Sequence, residues 1–152
     1  QRNKEPYNRF ISMNFMICRD AFLKVRFDET FHLGYEDTLF GMQLEQAGVE
    51  ILHIDNPVYH LVEENSEQFL MKIRRAVRNL DGHIEQMHSH VKLLRWYACV
   101  KRLGMAPLVA FLFRQIEKRL VSNLTSRKPS LKLFAFYKLG YLCNFLSQKK
   151  PD

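Results

Sequence analysis

The sequence predicts an α/β segment over residues 1–62 followed by an all-helical region over residues 63–152, so the chain is mostly α overall. Three observations predict this. Residues 36–54 run from a helical pattern through a glycine into an apolar stretch, the order of α/β units. Residues 70–98 place apolar side chains alternately three and four apart, a heptad seam. The charge also divides the chain. Residues 1–62 hold six Lys/Arg against nine Asp/Glu, net −3, and residues 63–152 hold seventeen against seven, net +10. Such asymmetry gives the two parts different jobs.

Taken in order, the apolar run in "FISMNFMIC" suits a short buried strand over residues 11–17, and a brief helix follows over residues 19–25. Residues 26–34 read as loop. From Glu36 the pattern is helical, with Leu39, Phe40, Leu44 and Ala47 on one side and Gly48 in the place of a helix-ending glycine. "VEILHI", residues 49–54, reads as a second strand, whose continuation Pro57 limits.

Beyond Glu64 the seam consists of Leu70, Ile73, Val77, Leu80, Ile84, Met87, Val91, Leu94 and Ala98, with Gly82 marking a kink or break. Pro107 is a good first-turn residue for a helix over residues 107–124. "SRKPS" breaks the chain, and Ser130 is positioned to cap a third helix over residues 131–146.

A hydrophobic fraction of 47% and a charged fraction of 26% over 152 residues describe a globular chain with a real core. Cys18, Cys99 and Cys143 are odd in number and far apart, which gives neither a disulfide framework nor a zinc spacing. They read as free thiols in a reducing cytoplasm. "NLT" at Asn123 has the form of a glycosylation sequon, which matters only in a secreted protein. The net charge of +7 is not accompanied by any nucleic-acid motif. The opening "QRNKEPYNRF" has no initiator Met and no signal peptide, and reads as the middle of a longer protein.

The candidate chemistry lies in "GYEDT". Glu36 and Asp37 fall in the first turn of their helix, where unpaired N–H groups and the positive end of the dipole favour ionised carboxylates. There an acid can cap the helix, bind a cation or accept a proton. Gly34 permits close backbone approach and Tyr35 offers an aromatic surface, so both are candidate substrate-binding residues.

"NFMICRDAF", "FDETFHLGYEDTLFGMQLEQAG" and "ILHIDNPVYH" occur in that order with short spacers. Over about residues 7–62 this set resembles the C-terminal half of the catalytic domain of family-two glycosyltransferases, the large inverting class with the A-type nucleotide-sugar fold. The wording is similar to bacterial polysaccharide-type members, which build the cell envelope. The resemblance implies transfer of a hexose-type sugar from a nucleotide sugar to a glycan or lipid-linked acceptor. It makes Asp37 the general base and Glu36 the residue that holds the acceptor or orients the site. It gives Asp28 and Glu29 a structural role in the loop.

The resemblance also implies a divalent metal, Mn or Mg, in the full-length enzyme, with His60 a candidate ligand. Imidazole suits such ions. His53 is a weaker candidate, and His83, His88 and His90 read as solvated. No Asp-x-Asp occurs in the chain, so the nucleotide-binding half has no counterpart. Alone, the chain is expected to bind no metal and to transfer no sugar. "KLLRW" at 92–96 is similar to the Gln-x-x-Arg-Trp element of processive synthases, but Lys92 stands where Gln belongs and the stretch lies in the seam.

The basic tail admits three readings. It is a helical subdomain with solvated cations, an element docking on an anionic membrane surface, or a homo-oligomer joined through the seam. "MAPLVAFLF" and "LFAFYKLGYLCNFL" fall short of the roughly 20 apolar residues that span a bilayer. A cytoplasmic protein, peripheral at the inner face of the cell membrane, fits these features. An assembly or membrane-docking module without catalysis is the alternative to the transferase.

Overall fold

The structure is a computed structural model that describes residues 2–29, 31, 34–61 and 63–149, the side chain of Arg2 excepted. Three positions of the 26–34 loop, Thr30, His32 and Leu33, lie outside the described residues. The chain forms two compact units, residues 1–63 and residues 64–152.

In the first unit, 3-10 turns at Arg2–Lys4 and Tyr7–Arg9 precede helices α1 (Arg19–Lys24) and α2 (Glu36–Gln46). The core is aromatic. Phe27 stacks on Phe40 with centroids 4.1 Å apart, and Phe10, Phe15 and Phe22 surround Phe40. Val25 and Leu44 complete the buried cluster. Gly41 sits where α2 meets the second 3-10 turn, and a Cβ there would fall 2.5 Å from the Tyr7 carbonyl oxygen. The end of α2 follows the expected glycine stop. Gly48 takes φ +66°, its N–H reaches the Glu45 carbonyl at 3.1 Å, and the Val49 N–H reaches Leu44 at 2.9 Å. This double bond pattern satisfies carbonyls that the helix leaves open.

The expected sheet is not formed. Among the described residues there is no strand, either at residues 11–17 or at residues 49–54, so the α/β fold class is corrected to all-helical. An extended segment becomes a strand only when a neighbour pairs its N–H and C=O groups. Residues 12–14 turn instead, and residues 49–54 find a side chain as their partner. The Asn3 amide donates to the His53 carbonyl at 3.1 Å and accepts from the His53 N–H at 2.8 Å. Asn14 Nδ2 likewise donates to the Asn56 carbonyl. Ile51 packs inward, whereas Leu52, Ile54, Tyr59 and Leu61 are exposed.

The second unit is built from α3 (Ser66–Asn79), α4 (Ile84–Met87), α5 (Lys92–Arg102), α6 (Ala106–Leu124) and α7 (Leu131–Gln148). The seam residues from Leu70 to Leu94 face inward at most positions, with Ala98 exposed, but they do not share one helix. The chain breaks at Gly82, which takes φ +87°, and again over residues 88–91, so the seam winds round a core instead of forming a coiled coil. Its partner is α7, which packs against α3, α5 and, most extensively, α6. At the α6–α7 contact a Cβ on Gly140 would lie 2.6 Å from the Phe113 ring, so only a hydrogen fits there.

Polar side chains brace this bundle. Arg74 donates from Nε to the Tyr137 hydroxyl at 2.6 Å and from Nη2 to Glu117 at 2.8 Å, tying α3 to both α7 and α6. Arg78 repeats the first bond onto Tyr141 one turn later. Lys72 pairs with Glu64, and Lys149 with Asp81. Asn65 and Gln68 form a reciprocal capping box on α3. Ser130 caps α7 by accepting from the Leu133 N–H, and Asn123 Oδ1 accepts from the Ser130 N–H to hold the preceding turn.

Candidate active site

The N-terminus of α2 is built differently from those of α3 and α7. Gly34 (φ +76°) and Tyr35 (φ +70°, ψ −2°) turn the chain sharply into the helix. Tyr35 is the one non-glycine with positive φ among the described residues. A left-handed conformation costs an L-residue roughly 1–2 kcal/mol. Such strain persists only where the surroundings impose it. As the residue at the helix cap, Tyr35 makes no side-chain cap bond. Its phenol is withdrawn from water, and this burial raises its pKa above the ordinary tyrosine value.

Glu36 and Asp37 occupy the first two helical positions, as the sequence reading places them. Glu36 Oε2 and Asp37 Oδ1 are both buried, and neither has a hydrogen-bond partner among the described residues. A buried acceptor without a donor costs about 1–3 kcal/mol. Two side by side on one strained turn are acceptors held ready and unused. The caps of α3 and α7, by contrast, are occupied.

Gln43 was not singled out by its sequence. Its Oε1 is also buried without a partner, and it lies seven residues beyond Glu36, on the same helical face. That spacing from the acidic pair is the signal that could have found it. Asp28 and Glu29 belong to the loop ahead of the helix. The Asp28 carbonyl accepts from the Phe31 N–H at 3.0 Å, closing a turn, while the neighbouring Phe27 anchors the loop on α2 through its stack with Phe40.

The histidines are not brought to this site as metal ligands. His60 is exposed in an irregular segment. His53 Nε2 lies 2.9 Å from the Pro6 carbonyl, a structural contact. Among the described residues no three His, Cys, Asp or Glu side chains are grouped to hold an ion. Lys92, Arg95 and Trp96 line an open hollow of about 480 Å³ on α5, in the other unit.

Compared with protein-family models, with curated proteins and with solved structures, the chain gives no significant match.

Proposed function

We propose that this chain supplies the acceptor-side portion, bearing the general base, of an inverting glycosyltransferase. The observation that carries the reading is the pair of buried, unpaired carboxylate oxygens on Glu36 and Asp37 at the strained, uncapped start of α2. A general base needs a free lone pair at a fixed position. The order of motifs around the pair supports the same reading.

Asp37 takes the proton from the acceptor hydroxyl as that oxygen attacks the anomeric carbon. The carbon's bond to the departing nucleoside diphosphate breaks on the opposite side, and the leaving group takes the electron pair. Glu36 orients the acceptor, Tyr35 gives its sugar ring an aromatic surface, and Gly34 lets the backbone approach. The nucleotide sugar is held by a donor-binding part that this sequence does not contain.

The test uses the full-length protein with a panel of nucleotide sugars beside its Asp37→Asn variant. Loss of a positioned base lowers turnover by roughly 10²–10⁴-fold, and a variant with unimpaired turnover would exclude Asp37 from that role. The purified 152-residue chain should give no transfer, and detectable transfer would contradict the division of labour.

A further inference from the structure

We infer that the corner between α5 and α6 is a wedge that docks the helical unit on an anionic lipid surface. The break at residues 103–105 bends the two helices by 115°. Gly104 makes the bend at φ +68°. The corner is apolar and exposed: Leu103 is 65% exposed, and Met105, Leu108, Phe111 and Leu112 are each 44–50% exposed.

These side chains are not spare core. Ala110 and Phe113 on the opposite face of α6 are buried, as are Leu93, Leu94 and Tyr97 on the inward side of α5. Each helix has already spent one face inside the bundle, and the corner residues form a second apolar surface. An apolar patch of this kind on a protein surface marks an interaction site.

Charge identifies the occupant. From Gln86 to Ile116 the chain holds five Lys/Arg and no Asp or Glu. Lys101 and Arg102 immediately precede the corner, and Lys92 and Arg95 lie further back along α5. All four are exposed, and none joins an ion pair among the described residues. Trp96 lies seven residues before Leu103, so it shares that face of α5, and it is 65% exposed beside Lys92 and Arg95. An indole next to cations and an apolar tip is the pattern of a headgroup-level anchor. Two copies of this surface would bring like charges together, which disfavours self-association through it. No single helix among the described residues is long and apolar enough to cross a membrane, and the inward faces are committed to the bundle. The corner therefore rests in the interface.

The experiment is flotation of the 152-residue chain at low salt with phosphatidylcholine vesicles, with and without phosphatidylserine. The chain should float with the anionic vesicles and much less with the neutral ones. Neutralising the collar in Lys101→Gln with Arg102→Gln should weaken binding about thirtyfold, from about 1 kcal/mol per cation near the surface. Leu108→Gln with Phe111→Gln should weaken it by more than about tenfold. Helical circular dichroism checks that each variant is folded.

The wild-type chain carries its own probe, because Trp96 is its only tryptophan. Its emission should shift to the blue with anionic vesicles. Absence of binding, an unshifted emission or binding unchanged by both variants would overturn the inference. So would a dimer that Leu108→Gln with Phe111→Gln dissolves while vesicle binding persists.

Discussion

The two units spend their interactions in opposite ways. In residues 64–152 the interior is closed. Val77, Leu80, Met87, Leu94, Phe113, Tyr137 and Leu142 are fully or almost fully buried, arginines meet tyrosine hydroxyls, and the ends of α3 and α7 are capped. In residues 1–63 the aromatic cluster is half open, a tyrosine is held at positive φ, two carboxylate oxygens go unpaired and a run of apolar chain faces outward. In residues 1–63 a left-handed tyrosine and two buried, unpaired carboxylate oxygens fall together at one helix start. Rule-breaking concentrated at one place is where function is sought, because stability alone would remove it.

The largest effect that would break this contrast comes from two equivalent truncations. Phe113→Ala should cost about 3–5 kcal/mol, because the closed α6–α7 contact cannot collapse into the cavity. Phe40→Ala should cost less, since the rings around it, Phe10, Phe15, Phe22 and Phe27, are only partly buried and can collapse toward the gap. Denaturant unfolding followed by circular dichroism measures both, and equal costs would mean that the first core is as closed as the second.

Thiol chemistry sharpens the contrast next. Burial pushes the Cys143 thiol from 9.0 up to about 11, whereas Cys18 and Cys99 are exposed. At about pH 8 iodoacetamide should modify buried Cys143 much more slowly than exposed Cys18 and Cys99, because its raised pKa and its burial both withhold the thiolate. The raised value also fixes a sign. The folded state holds this proton more tightly, so the associated stability is complete below about pH 9 and is lost as the pH rises through about 11. Burial raises the pKa of Tyr137 in the same direction. Unfolding midpoints measured across that range should fall.

The smallest effect is Asn3→Ala. It removes both bonds to the His53 backbone, at a cost of about 1 kcal/mol, and should release protection of the His53 amide in hydrogen exchange. Unchanged exchange there would show that the segment is held by Ile51, the His53–Pro6 contact and the Asn14–Asn56 bond instead.

Much of the helical architecture was legible because its signals are local. Gly48 ends α2, Pro107 opens α6 one residue after its start, and Ser130 caps α7, each by chemistry within a few residues. The seam was legible as a set of inward positions with a break at Gly82, but its second break, over residues 88–91, was not. The two expected strands, residues 11–17 and 49–54, were misread, since neither forms among the described residues. An apolar run such as residues 49–54 becomes a strand only with a distant partner, and here that place is taken by one asparagine side chain. Glu36 and Asp37 could be placed at a helix start from spacing alone. The positive φ of Tyr35, the unpaired Gln43 and the bonds from Arg74 and Arg78 to tyrosines 63 residues away could not, because they depend on the packed chain.

The missing Cβ at Gly140 sets a zero mark for the bundle. Sliding α7 along α6 by one turn, about 5.4 Å, would bring Phe136 or Asn144 to the notch in front of Phe113, where a hydrogen alone has room. Neighbouring registers are therefore closed off by collision, and the two longest helices of the chain can mesh in one alignment, as a key meets a single ward.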